Sequence, residues 1–542
     1  MKDDAHEPGR PLTPEPGGPD PALPRLTDPT GALVVDEVQS WSPDAVWDLA
    51  DRIAHLVRDG CGRERRLAVF GENSGEAVIA HLGGLRSGVS VVGVSSHLSG
   101  ADASYLLEVG DVALVLAGPR TRERAEEAAE LTRGRTGRSC EVFAWKSARW
   151  EAWIASAPIG PPADDRPILP NLLFTSGTTG RPKATELPPN VFPRCGSWSE
   201  FLTATGSNRF VGLGRHLVVA PIHHTGPLNA VRALAVGTPV GVLDRFDPGR
   251  TLAALEAWQI GSTTLVPTHM SRLLALPPDT RSSADLPSLR LVFQTGSACP
   301  VEVKRAMIDW WGPVFLEAYG GTEVGVTCSI SSQDWLGHPG SVGRAVSPYE
   351  AVVVDDDGTE VPAGEEGRLY FRDTTGRGIV YHDDPERSAA AHLSPGLFTL
   401  GEIGRVDGDG WVYVTDRASD MVVTGGVNVY PAEAEAVMMA HPAVTDVAGV
   451  GIPDDDLGEI MVALVVLDPS TPPPPTGELL TWCRERLSAY KCPRQLMIVG
   501  SLDRNALGKL NKRELRARFI ADRPTDGPGP RTRPGTTTDD QP

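Results

Sequence analysis

The chain is short of positive charge. Its 542 residues carry 51 lysines and arginines against 70 aspartates and glutamates, a formal charge of −19. That balance argues against a surface built to hold nucleic acid, so any anion site must be local. Paired cysteines are missing too. Cys61, Cys140, Cys195, Cys299, Cys328, Cys483 and Cys492 are scattered, with no C-x-x-C pair and no histidine cluster at zinc spacing, which excludes a disulfide framework or structural zinc site and fits a reduced, cytoplasmic protein. Long apolar runs are also lacking. Stretches such as 91–94 and 461–467 fall well short of the roughly 20 residues that span a bilayer, so no membrane span is expected. The opening MKDDAHEPGRPLTPEPGGPDPALP is acidic and proline-rich, where a signal peptide needs a basic start and an apolar stretch, and no export is expected.

What is present is enough chain for at least two domains. Residues 1–25 and the tail from 521 to 542 are rich in Pro, Gly and charge and bury too little apolar surface to offset ordering entropy, so both read as disordered. Between them apolar strands alternate with helical patterns. LAVFGEN (67–73) precedes EAVIAHLGGLRSG, then VSVVGVS, then VALVLAG; the rhythm recurs at 217–222 with 228–236, and at 262–267 with HMSRLLAL. This βαβ repetition predicts an α/β fold with parallel sheets in two layered subdomains. From Tyr349 the texture changes to short strands with Asp-Gly turns, a β-rich section of hairpins. After Asp416 helix and strand alternate as in a compact α+β unit. The expected organisation is a large domain over 26–417 and a small, mobile C-terminal domain over 418–520.

The strongest local signal is LLFTSGTTGRPKAT, residues 172–185. An apolar strand runs into a loop whose glycines, Gly177 and Gly180, let backbone N–H groups approach an anion. Hydroxyls of Thr175, Ser176, Thr178 and Thr179 add donors, and Lys183 adds charge. The loop is not the G-x-x-x-x-G-K-[ST] type. Further strings follow in order: PIHHTGP (221–227), TGSACP (295–300), EAYGGTEVG (317–325), LFTLGEIGRVDGDGWVYVTDRASD (397–420), TGGVNVYPAE (424–433) and DRNALGKLNKREL with Lys509. Taken singly, several are bland: TGSACP reads as a strand-to-helix turn, TGGVNV as a hairpin, and the terminal Gly-Lys as solvated charge.

Together they resemble the adenylate-forming superfamily of acyl-CoA synthetases, luciferases and adenylation domains, over nearly the whole ordered chain. The feel is closest to bacterial fatty-acyl-CoA and malonyl-type CoA ligases. The resemblance implies that Thr175 to Lys183 hold the ATP phosphates and that His224 meets the acid. It places the backbone of Gly296, Ser297 and Ala298 against adenine, with Tyr319 stacked on the ring beside Gly320. Thr322 would bond the α-phosphate and Glu323 would hold Mg2+. Glu402 stands where an aspartate usually binds the ribose, beside Arg417. Ser419 stands at the hinge, where aspartate or lysine is usual. Gly425 and Gly426 would line the path of CoA, and Lys509 would bridge carboxylate and α-phosphate during adenylation.

The implied function is ATP-dependent activation of a carboxylic acid, aromatic or acyl-chain, to acyl-AMP, followed by transfer to CoA, with catalysis by Lys509, Thr322, Glu323 and His224. The pocket is expected to be mainly apolar, around Thr225, Gly296 and Val324. Departures at Ala184, Glu402, Ser419 and Asp503 leave alternatives: a carrier-protein thiol or an amine as acceptor, or nitrite as the activated group in a diazotase-like reaction.

Overall fold

The structure, a computed structural model, describes residues 30–175, 182–417, 419–424, 427–454, 457–504 and 509–521. The expected disordered N-terminus lies outside these residues, as does the tail, apart from Ala521, which closes the helix Lys512–Ala521.

Among the described residues the chain forms four sheets. The first has six strands in the order Glu141–Ala144, Val112–Ala117, Arg66–Phe70, Val91–Val94, Leu172–Thr175 and Lys183–Glu186, parallel except for the last. The second has nine and is parallel at its centre, through Val240–Val242, Arg215–Val218, Ile260–Leu265, Leu291–Gln294 and Phe315–Gly321. Central strands such as Val112–Ala117 are buried at every position, as a parallel sheet covered on both faces requires. The two expected βαβ subdomains are therefore present. The strand anticipated at 217–222 is Arg215–Val218, and that at 262–267 ends at Leu265, because Pro267 opens a helix.

Helices Pro43–Cys61 and Gly75–Ser87 lie between these sheets. Their residues Val46, Ile53, Val78 and Leu82 share one core with Leu67 and Val69 of the first sheet and Val218 and Val240 of the second. Ser42 and Ser74 cap their N-termini by accepting from Ala45 N and Ala77 N. A Cβ at Gly83 would stand 2.6 Å from Ile53 Cγ2, so the close approach of the two helices depends on its bare Cα. Both sheets send the carboxyl ends of their strands toward shared loops, where α/β proteins bind ligands.

The third sheet is antiparallel, from Tyr349–Val354 to Val412–Arg417, and it is the expected β-rich section. The fourth begins at Val422–Thr424 and centres on the long pair Val444–Asp454 and Gly458–Leu467, with helix Pro431–Met439 against it. This smaller α+β unit is tied to the strand before it: Asp416 Oδ2 accepts from Ala432 N at 3.0 Å.

Candidate active site

The first sheet supplies one wall. Strand Leu172–Thr175 pairs antiparallel with Lys183–Glu186, setting Thr175 opposite Lys183. The loop between them is thus closed at its base. Ser176, Gly177, Thr178, Thr179 and Gly180 lie outside the described residues. Thr175 Oγ1 donates to Glu323 Oε1 at 3.1 Å, joining the phosphate-loop motif to the acidic motif across 148 residues. Lys183 Nζ stands 4.9 Å from the ring centre of Tyr381. Burial, and then the Glu323 carboxylate, hold the Tyr381 phenol well above its ordinary value, so it remains a proton donor. Arg377 Nη1 donates to the Glu323 carbonyl at 3.3 Å. Neither Tyr381 nor Arg377 was visible in the sequence, since GRGIVYHDDPE carries no pattern that distinguishes it from a surface loop.

The second sheet supplies the opposite wall. Phe315–Gly321 and Gly325–Ser331 form a hairpin whose turn carries Thr322 and Glu323. A Cβ on Gly320 would lie 2.0 Å from the Gly325 carbonyl oxygen, so only glycine fits where the strands converge. Thr322 Oγ1 shares a hydrogen bond with Thr225 Oγ1 at 2.9 Å, which fixes the HHTGP segment against this turn. His224 is the adjacent residue, its ring centroid 4.0 Å from that of His223. Burial, and then the charge of Lys509, push His224 down to about 4, so its imidazole is neutral at physiological pH and can accept as well as donate. At the end of Leu291–Gln294, Gly296 takes a positive φ of 105°, while Ser297 and Ala298 are exposed, consistent with a loop that works through its backbone.

The β-rich sheet brings Glu402 and Arg417 opposite each other in adjacent strands. Tyr319 Oη donates to Glu402 Oε2 at 2.8 Å, and Arg417 Nε lies 4.0 Å from Glu402 Oε1. Burial raises the Glu402 carboxyl, opposed by the Tyr319 hydrogen bond and the charges of Arg417 and Lys509. Lys509, more than 100 residues downstream of Glu402, reaches the same place. Its ammonium is lowered first by burial and next by Arg417, and is held up by Glu323 and Glu402. Glu323, Glu402, Arg417 and His224 therefore all lie close enough to Lys509 for their charges to act on one another.

Other expected residues stand elsewhere. Val324 is fully buried in a core with Tyr349, Phe371 and Phe398, so it supports the hairpin turn from behind and lines no acid pocket. Ser419 is exposed and bonds Asp420 Oδ1 at 3.2 Å. Gly425 and Gly426 lie outside the described residues, between the paired strands Val422–Thr424 and Val427–Val429.

A cavity of about 530 Å3 opens where the carboxyl ends of both parallel sheets meet the small unit. Arg120, Arg124, Arg245, Arg272 and Arg504 line it, with Glu72 and Asp244 as its carboxylates and His223 at its wall. Arg124 is anchored by the carbonyls of Ser96 and Leu98, and Arg504 by Asp446. In a chain of charge −19, this is a local concentration of cationic side chains. Sequence reading missed it because five arginines spread over nearly 400 residues form no motif. Only Arg120 and Arg245 carried a signal, each three residues past a strand end, whereas Arg124 and Arg272 sit inside helices.

Family comparison agrees with this geometry. The model of the AMP-binding enzyme family matches residues 26–378, and that of the AMP-binding enzyme C-terminal domain matches 433–509. The chain belongs to this family of adenylate-forming enzymes. It is similar to the indoleacetate–CoA ligase of Aromatoleum aromaticum, 29% identical over 86% of this chain and 91% of that one. It is 30% identical to the 2-succinylbenzoate–CoA ligase of Bacillus licheniformis over 82% and 87% of the two chains. Among solved structures, ATP-bound MatB from Rhodopseudomonas palustris superposes with a TM-score of 0.76 at 26% identity, covering 92% of this chain and 97% of that one. An amide bond synthetase from Marinactinospora thermotolerans gives 0.76 at 25% identity, covering 90% and 97%.

Proposed function

We propose that the protein activates an aromatic or acyl-chain carboxylic acid with ATP, forming acyl-AMP and pyrophosphate, and then transfers the acyl group to CoA. The observation that carries this reading is the convergence of Lys509 with Glu323, Glu402, Arg417 and His224. Joining a carboxylate to a triphosphate brings two anions together, so a site must hold the nucleotide, neutralise it and align an acid oxygen with the α-phosphorus. In our assignment Thr175 to Lys183 hold the β- and γ-phosphates. Tyr319 stacks on adenine against the Gly296 to Ala298 backbone, beside Gly320. Glu402 and Arg417 take the ribose hydroxyls. Thr322 bonds the α-phosphate, neutral His224 orients the acid, and Lys509 bridges carboxylate and α-phosphate as charge gathers there.

Magnesium fits this donor set. Among the described residues no cluster of three or more ligands could cage a metal, but Mg2+ on a nucleotide typically needs only one or two carboxylates beside the phosphates, and the Glu323 carboxylate is bonded to Thr175 at the end of its strand. When bound, the ion would neutralise phosphate charge.

For the second half-reaction the chain divides after Arg417. The small domain, 418–520, turns about Ser419, withdraws Lys509 and brings Gly425 and Gly426 to the thiol's path. The five-arginine cavity supports CoA, whose nucleotide end is polyanionic, over an uncharged amine. The relatives, named as CoA ligases, support it as well. No described helix is long and apolar enough to cross a membrane, and all seven cysteines are free, as the reducing cytoplasm would keep them. The test is pyrophosphate release over a panel of acids, with nitrite included, followed by product analysis with CoA or with an amine. Thioester supports the reading. Amide formation with CoA ignored, or release with nitrite alone, overturns it.

A further inference from the structure

Arg232 is a buried cation without a counter-ion. It lies on helix Asn229–Ala235 with only 3% of its surface exposed. Its Nη2 donates to Asn229 Oδ1. Among the described residues no carboxylate lies within ion-pair distance of it, and Nη1 has no hydrogen-bond partner. Burial pushes the group down only to about 10, so it stays charged at neutral pH. A desolvated charge of this kind is costly unless something pairs with it.

Its place in the fold indicates what does. Hydrogen bonds from Leu228, Asn229 and Ala230 to the carbonyls of His224, Gly226 and Pro227 wind the HHTGP segment directly into this helix. Asn229 and Arg232, three residues apart, share one face of this helix, and Thr225 lies in the turns that lead into it. Thr225 stands at the active site, bonded to Thr322. The opposite stripe, with Ala230, Val231, Leu234 and Ala235, is sealed in the main core. The guanidinium folds back toward Asn229, the residue that opens the helix at the end nearest Thr225. The facing sheet is apolar there: Phe293 and Ala318 pack with Phe210 and the neighbouring Ala233. A second buried polar group on that sheet also lacks a partner, Thr264 Oγ1, in register with Phe293 and in contact range of Gly226.

We infer that Arg232 sets the substrate class: the acid activated here carries a second carboxylate at the far end of its apolar body, paired with the Arg232 guanidinium while the reacting carboxylate lies at Thr225 and Thr322. The inference rests on the adenylation reading and narrows it. Arg232 is in this account a specificity-determining residue that takes no part in bond making.

The test compares matched acids in pyrophosphate release: benzoate with terephthalate, phenylacetate with 4-carboxyphenylacetate, hexanoate with adipate. In the wild-type protein the dicarboxylate of at least one pair is expected to show at least tenfold higher kcat/KM. Arg232→Met, which keeps most of the volume and removes the charge, is expected to abolish or invert the preference with ATP affinity unchanged, and Arg232→Lys to keep part of it. Should Arg232→Met fail to fold, the wild-type comparison decides alone. Monocarboxylates used as well as their partners in every pair, or a preference that survives in Arg232→Met, overturn this inference and leave adenylation standing. Release with no acid at all overturns the adenylation reading, and this inference with it.

Discussion

Tyr319 and Glu402 are joined by a hydrogen bond of 2.8 Å from phenol to carboxylate, across 83 residues and two sheets. Burial and the Glu402 charge hold the Tyr319 phenol far above its ordinary value, so it is always a donor. The longer arm of glutamate, where the family usually has aspartate, spans to this partner and leaves the second oxygen near Arg417.

ATP binding should therefore depend on the ionised Glu402. Its carboxyl is raised by burial and restrained by Tyr319, so affinity for ATP should fall as the pH drops through that raised value. Tyr319→Phe removes a hydrogen bond to a charged group, about 1.5–3 kcal/mol, and should move the fall to higher pH. Glu402→Gln should weaken ATP throughout, while Glu402→Asp, which keeps the charge, is tolerated. Calorimetric ATP titration across pH checks this; unchanged affinity in Glu402→Gln removes the residue from the site.

His224 should not titrate in the working range. With its imidazole pushed down to about 4, the rate of pyrophosphate release should show no histidine inflection near pH 6.5. An inflection there that disappears in His224→Asn would contradict the assignment.

The fold should lose stability in mild acid. His81 and His216 are buried neutral, pushed down to about 4 and about 3 by burial, while the unfolded chain binds protons below about 6.5. Folded values depressed in this way mean that the unfolded state takes up protons first. Each group then subtracts up to about 1.4 kcal/mol per pH unit as pH falls from about 6.5 toward its folded value. Urea midpoints at pH 7, 6 and 5 should fall in order, and less steeply in His216→Gln.

Lys304 and Glu317 form an ion pair with almost no solvent exposure, two residues before Tyr319. Lys304→Met strands the Glu317 charge and should cost about 3–5 kcal/mol, whereas the double change to Met and Gln should recover most of it. Thermal denaturation of the three variants tests the coupling.

Much of this site was legible in the sequence because its parts are contiguous strings. The HHTGP segment, the Tyr-Gly-Gly-Thr-Glu hairpin and the Glu402 to Arg417 hairpin each keep their polar groups and local structure in one stretch. The two parallel sheets were legible from apolar runs of strand length. What escaped depends on packing between distant segments. Tyr381 and Arg377 meet Glu323 only once the β-rich sheet is in place. Val324 was misplaced because its burial comes from distant residues, Tyr349, Phe371 and Phe398, that pack behind the turn. Arg232 looked like any charged helix residue until its burial was known, and the arginine-lined cavity exists only where two sheets and the small domain meet.

Lys509 carries the central claim, because in the proposed cycle it acts in one half-reaction and withdraws for the other. Removing one preorganised donor at a transition state costs roughly 10²–10³ in rate. The decisive measurement follows the two half-reactions separately in Lys509→Ala, with pyrophosphate release for the first and CoA consumption with synthetic acyl-AMP for the second. The account predicts near-complete loss of the first with the second largely intact. Normal adenylation, or equal loss in both steps, would contradict it.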